Sequence, residues 1–203
     1  MEDLYRTIER ASEGAYKEKG SKFMAFAYPV ADEEGIREIL AALRTEYYDA
    51  RHHCYAYMLG ADKKRFRAND DGEPSSSAGK PILGQLLSFD VTNVLIVVVR
   101  YFGGTKLGVP GLIHAYRAAA ADALAHAAIV ERMVEEVVHI RFGYAVLNDV
   151  MKVVKEEAPA VLSRTFETVC EMRLSVRRKY AERLRERLGQ IDTLSFATEE
   201  TSL

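Results

Sequence analysis

The sequence predicts a mixed α+β fold built in two successive units, and three features carry that expectation. Val94–Val99 is an unbroken run of six apolar residues, β-branched except for Leu95, as befits a central strand covered on both faces. Strand and helix patterns alternate up to the alanine-rich stretch ending near Ala128. The alternation then restarts after a charged boundary at Glu131–Glu136, which places two domains at residues 1–132 and 133–203.

The N-terminal stretch reads as strands, with Ser21–Tyr28 apolar and aromatic and Pro29 ending the ladder. A helix follows, with Asp32 as N-cap and Ile36, Ile39, Leu40 and Leu43 at three- and four-residue spacing. His53–Leu59 alternates as a strand stopped by Gly60, and Lys63–Ala68 reads as its return. Asn69–Pro81 is rich in Gly, Pro, Ser and Asp and is expected to be a loop, with Pro81 opening a short helix to Leu87. After the Val94–Val99 strand, a glycine loop from Gly103 to Gly111 leads into a helix from Leu112 to about Ala128. The first unit thus reads β–α–β–β–α–β–α.

In the second unit, Val137–Phe142 is a strand and Val146–Glu157 a helix striped by Val146, Val150, Val153 and Val154, stopped by Pro159. Strands near Val161–Glu167 and Thr168–Val176 come next. A helix at Lys179–Leu188 sets Tyr180, Leu184 and Leu188 on one face, with Gly189 as its cap and Asp192–Ala197 as the last strand. That succession is the ferredoxin-like β–α–β–β–α–β order.

Composition narrows the function classes. The 203 residues are 48% hydrophobic and 29% charged, the balance of a folded chain with a sizeable core. Lys and Arg number 28 against 30 Asp and Glu, a net charge of −2, which argues against a protein that coats nucleic acid over its whole surface. Cys54 and Cys170 are too far apart for a disulfide framework or a zinc spacing. The opening MEDLYRTIER is charged within three residues and has no apolar core, so no signal peptide is expected. The longest apolar runs fall far short of the ~18 residues of a membrane span. A reduced, cytoplasmic protein without membrane contact is expected.

Five stretches could carry chemistry. Arg100–Gly111 (RYFGGTKLGVPG) feeds a buried strand through a glycine loop into a helix start, where outward N–H groups favour anions. It matches neither a Walker A loop nor G-x-G-x-x-G, and tight packing of the glycines is the alternative reading. In Arg51–Tyr57 (RHHCYAY), alternation puts His52 and Cys54 on one face and His53, Tyr55 and Tyr57 on the other. A Cys–His dyad or metal pair is set against a small buried thiol, which is favoured because further ligands are missing. The His53 face reads as an exposed aromatic–basic surface able to stack bases. Asp70, Asp71 and Glu73 suit acid–base work or a phosphate-bound Mg²⁺, but also simple turn formation, and they match no EF-hand loop. Ser77-Ala78-Gly79-Lys80 has the bare S-x-x-K of serine acyl enzymes without partner motifs; Pro81 should keep Lys80 non-helical. Arg173–Arg187 crowds seven cations, read as a solvated helix face before an RNA contact.

Four of these blocks, GSKFMAFAYPV (Gly20–Val30), DARHHCYAY (Asp49–Tyr57), NDDGEPSSSAGKPIL (Asn69–Leu83) and NVLIVVVRYFGGTKLGVPGLIHAY (Asn93–Tyr116), stand together in an order that resembles the IMPACT/YigZ family. The resemblance covers the first ~130 residues by motif. The second unit resembles the C-terminal domain of bacterial members only by element order and position. It implies a first domain like domain 2 of ribosomal protein S5 and a ferredoxin-like second domain as in elongation factor G. It also implies binding rather than catalysis. Eukaryotic members regulate translation under stress by competing for the activator of an initiation-factor kinase, which bacteria lack. What carries over is a link to ribosomes or RNA.

The expected function is therefore a non-enzymatic, cytosolic, translation-associated binding protein contacting RNA, the ribosome or a protein partner in translation, with no cofactor and no metal. The expected ligand surface joins Arg51, His52, His53, Asp70, Asp71, Glu73, Lys80, Arg100, Tyr101, Gly103, Gly104 and Lys106. Four of its cations, Arg51, Lys80, Arg100 and Lys106, imply a salt slope near −3 on single-stranded RNA, and Tyr101 is the expected stacking residue. The rival is a small hydrolase or other enzyme using Asp71 or Glu73 with His52 as acid and base.

Overall fold

The computed structural model describes residues 3–197. They divide into two compact units, Leu4–Arg132 and a second formed by Met133 onward with Asp3.

The first unit contains β1 (Leu4–Ile8), β2 (Ser12–Glu18), β3 (Ser21–Pro29), α1 (Glu33–Glu46), β4 (His52–Leu59), β5 (Arg65–Asn69), α2 (Gly79–Ser88), β6 (Val94–Tyr101), α3 (Gly108–Ala125) and β7 (Ile129–Met133). Five strands form one antiparallel sheet in the order β2-β3-β6-β4-β5. β6 is its middle strand, and all six residues from Val94 to Val99 are fully buried. Val94, Ile96 and Val98 face the core under α2 and α3, while Leu95, Val97 and Val99 face the core under α1. This two-sided cover explains why β6 is apolar at every position. The Asp32 carboxylate accepts from the Gly35 N–H at 2.9 Å and starts α1.

α3 lies close to β2 because both surfaces are small. Ala115, Ala119, Ala120 and Ala123 are fully buried, and the Ser12 hydroxyl donates to the Ala123 carbonyl at 2.8 Å. β1, β2 and β7 are absent from the order predicted above. β2 is an edge strand of half-buried residues with polar alternates, and β1 pairs with β7 in a separate two-stranded ribbon, so neither shows a fully apolar run. Lys80 also departs from expectation. It is the second residue of α2, and Pro81 the third, where a missing N–H breaks no intrahelical bond.

The second unit holds β8 (Glu135–Gly143), α4 (Leu147–Glu157), β9 (Ala160–Phe166), β10 (Val169–Arg177), α5 (Arg178–Gly189) and β11 (Ser195–Phe196). Its sheet runs β11-β8-β10-β9, with each pair antiparallel. Val138, Ile140, Phe142, Met172 and Leu174 pack beneath Val150, Val153 and Leu184. Ala158, left-handed at φ 48°, ends α4 just before Pro159. On α5, Ala181 takes the inner position given above to Tyr180, whose ring is exposed and lies beneath the Lys179 and Arg183 cations. Gly189 closes the helix from inside, and β11 is short because Asp192 and Thr193 form a turn, Thr193 at φ 65°. Cys54 and Cys170 are buried and free.

A Cβ on Gly14 would sit 2.2 Å from the Ala123 nitrogen, whereas one on Gly84 in α2 would meet nothing within 4 Å. Gly14→Ala should therefore destabilise the chain by ~1–3 kcal/mol through overpacking. Gly84→Ala should stabilise it by ~0.5–1 kcal/mol. Denaturant unfolding of both variants checks the pair; a neutral Gly14→Ala would contradict the close β2–α3 approach.

Candidate functional site

The open end of β6 gathers the polar residues of the first unit. Across the sheet, Arg100 stands opposite His52 on β4 and Phe23 on β3, so all three point to the α2–α3 side. Deeper residues of that face are core, but Arg100 is at the rim, where its long chain reaches up beside the start of α3. Its guanidinium bonds the Glu73 carboxylate at 2.5 Å. Both side chains are nearly sealed from solvent, 8% and 4% exposed. The same Glu73 oxygen accepts from the Tyr116 hydroxyl at 2.7 Å, and the Arg100 guanidinium lies 5.4 Å from the Phe23 ring and 5.7 Å from the Phe102 ring. Burial pushes the Tyr116 phenol far up and also raises the Cys54 thiol, which donates to the Asp70 carbonyl and the Tyr116 oxygen. Cys54 is thus a protonated core thiol, not a nucleophile.

The acidic loop has three separate structural tasks. Asp70 Oδ1 accepts from the N–H groups of Ala78 and Gly79, and Oδ2 from Ser76, so a carboxylate eight residues upstream caps α2. Asp71 accepts from the His53 N–H at 2.7 Å and from Arg44 at 2.9 Å. Burial alone would raise the Asp71 carboxyl, but the Arg44 guanidinium and the His53 amide reverse this and hold it below its ordinary range. Glu73 anchors Arg100. All three carboxylates are engaged by groups of the first unit itself.

Around Arg100 lies an open groove of about 490 Å³. Arg51 and His52 form one wall, Glu73 and Pro74 another, and Phe102 with Lys106–Val109 the third. Gly103 fixes that third wall: its N–H donates to Ser21 Oγ at 3.1 Å, and a Cβ there would lie 1.9 Å from the Gly20 carbonyl carbon. Gly104 turns the chain at φ +88° with open space around it, and Gly108, at φ +71°, begins α3. Gly108 and Val109, the first two residues of an 18-residue helix, thereby line the groove. Arg51 and Lys106 are exposed, and among the described residues neither has an ion-pair partner.

The sequence-predicted residues thus separate into groups. Arg51, His52, Glu73, Arg100 and Lys106 line one groove, with Gly103 and Gly104 shaping it. Asp70, Asp71 and His53 sit inside the scaffold behind it. The exposed His53–Tyr55–Tyr57 face does not exist: the three are 4%, 8% and 7% exposed, because α1 covers that side of β4. Tyr101 points away as well, its hydroxyl donating to Asp49 at 2.8 Å, which with burial pushes its phenol up to about 12. The exposed ring at the groove is Phe102, 54% exposed. Lys80 lines a neighbouring groove between α2 and α3 with Arg117. Sequence reasoning missed Phe102, Tyr116 and Arg117; the aromatic before Gly103-Gly104 was a usable signal for the first, whereas the other two read as ordinary helix residues. On α5, Arg183 and Arg187 both bond Glu157, and Arg178 and Arg185 bond Glu136. That helix is an ion-paired face.

Fold and groove together define a two-unit α+β protein whose first unit presents a shallow, cation-lined, aromatic-edged groove. The family model of the Impact N-terminal domain matches residues 19–124, more than half of the chain. The chain is 34% identical to IMPACT family member YvyE of Bacillus subtilis over 152 residues, covering 75% of this chain and 70% of that one. It is 42% identical to IMPACT family member YigZ of Escherichia coli over 100 residues, about half of each. A crystal structure described as a hypothetical protein superposes with a TM-score of 0.76 at 25% identity, covering 98% of this chain and all of that one. The chain belongs to the IMPACT family.

Burial and the nearby Arg44 lower the pKa of His53 below its ordinary 6.5, outweighing the Tyr47 carbonyl and Asp71. The unfolded chain then takes up the proton first as pH falls, so His53 contributes stability above pH 6.5 that is lost as pH drops toward its folded value. His53→Gln, which keeps a donor toward Tyr47, should flatten the fall in unfolding free energy between about pH 7 and pH 5. An unchanged pH profile would contradict this placement.

Proposed function

We propose that this protein is a non-enzymatic, cytosolic binding protein that contacts single-stranded RNA through the Arg100 groove and acts with the translation machinery. The observation that carries the reading is the pairing of two cations without an ion-pair partner among the described residues, Arg51 and Lys106, with an exposed aromatic ring, Phe102, beside a helix start. Cations without carboxylate partners attract phosphate, and a flat exposed ring stacks a base of any sequence. Family membership supports the link to translation, since the resemblance implies that eukaryotic members regulate it. The two units are read as domains 1–132 and 133–203. The first resembles domain 2 of ribosomal protein S5 and the second the ferredoxin-like domains of elongation factor G, by its split β–α–β order.

The enzyme reading receives less support. Asp71 is held by Arg44 and His53, Glu73 by Arg100 and Tyr116, and His52 Nδ1 meets the Asp71 carbonyl at 2.8 Å. Each candidate acid or base is already engaged in structure, and Glu73 is almost sealed from a substrate.

Fluorescence anisotropy of a labelled single-stranded RNA of about 12 nucleotides tests the proposal. Lys106→Ala should weaken binding to every sequence alike and make the slope of log affinity against log salt shallower by about 0.7. Phe102→Ala should cost ~1–3 kcal/mol with little change in slope. Absence of binding at low salt, or indifference to both substitutions, would overturn the reading.

A further inference from the structure

A second groove of about 530 Å³ lies between α2 and α3 and has no part in the site described above. Lys80 and Arg117 line it together with Ser76, Gln85 and Ser88. Both cations are exposed, and among the described residues neither has an ion-pair partner. The groove is not isolated. Pro74 borders the first groove and Ser76 the second, within the turn that Asp70 holds rigid. On α3, Val109 lines the first while Ile113 and Arg117 line the second, a single i, i+4, i+8 stripe.

We infer that the two grooves form one continuous track for a single strand of RNA, with Arg51 and Lys106 at one end and Lys80 and Arg117 at the other. This inference rests on the RNA reading of the first groove and extends it. Val109 and Arg117 are eight residues apart on the helix, about 12 Å at 1.5 Å per residue. One phosphate cannot touch both ends of such a track, whereas a chain with repeating charge can. The flanking residues decide which chain. Five cations and one acid line the two grooves, and the acid, Glu73, is matched by Arg100. Four cations are left to face a ligand in a protein of net charge −2, so the track carries a local excess of positive charge. The exposed Phe102 ring adds a platform for a flat group beside a phosphate, which a nucleic-acid strand offers and an acidic peptide does not. Arg100, one of four phosphate contacts expected from the sequence, is committed to Glu73, and Arg117 takes its place in the count.

The test uses the full-length chain with labelled RNAs of two lengths, about 3 and about 12 nucleotides. With four phosphate contacts, the longer RNA should show a salt slope near −3. Arg117→Ala should make that slope shallower by about 0.7, and Lys80→Ala with Arg117→Ala by about 1.4, while Arg117→Lys restores it. Neither substitution should alter the slope for the short RNA bound at the Phe102 end. If Arg117→Ala and the double variant leave the long RNA unaffected while Lys106→Ala still weakens it, the track is wrong and the single-groove reading stands. If Lys106→Ala is also without effect, the RNA reading itself fails. If poly-glutamate rather than RNA shows the Arg117-dependent slope, the occupant is an acidic protein and the inference is overturned.

Discussion

The buried pair between Arg100 and Glu73 is the contact on which the groove end of the first unit depends. It ties the rim of the central strand to the 70–78 loop, and through the Tyr116 hydroxyl it ties both to α3. An ion pair this sealed is a weak source of net stability, since removing two charges from water costs about as much as their attraction returns. Its consequence is geometric. Removing either partner alone would leave an uncompensated buried charge, at a cost of ~3–5 kcal/mol, so strand end, loop and helix are held to one arrangement. The Arg100 Nε is buried and has no hydrogen-bond partner among the described residues.

Around that anchor the loop's charges are divided by role. Its three carboxylates all turn inward, Asp70 to cap α2, Asp71 to hold β4 against α1 through Arg44, and Glu73 to hold Arg100. Among the described residues, the exposed cations Arg51, Lys80, Lys106 and Arg117 have no ion-pair partner. A nearly neutral protein acquires a positive surface in this way without a surplus of basic residues. The basic-looking α5 shows the converse: it carries as many arginines, four, yet Glu136, Glu156 and Glu157 pair with them locally. Charge density along the sequence was therefore a poor guide to potential at the surface.

How much was legible in the sequence varied by the kind of signal. The α+β class, the two-sided burial of Val94–Val99 and the alternation of His52 and Cys54 against His53, Tyr55 and Tyr57 followed from periodicity, which the backbone enforces locally. What periodicity does not say is whether a face is covered. The His53–Tyr57 face was assigned to solvent because nothing in those residues announces α1 packing over it. Tyr101 and Phe102 were indistinguishable for a similar reason: Tyr101 ends β6 and Phe102 is the first residue beyond it, and only the position of Asp49 decides which ring is tied back. Lys80 could be placed near a helix start, but its partner across the groove, Arg117, sits 37 positions later on an alanine-rich helix with no local mark of function. Asp70 caps α2 from outside the usual N-cap position, and Tyr116 meets Glu73 across 43 residues; no capping or spacing rule reaches either.

Hydrogen–deuterium exchange of the full-length chain, with and without a single-stranded RNA of about 12 nucleotides, tests the central claim most directly. The account predicts slower exchange at the amides of residues 103–112 and 75–80, where the glycine loop and the helix starts face the grooves. It predicts no change at residues 178–189, whose arginines are already paired. Protection confined to 178–189, with the groove amides unaffected, would contradict it.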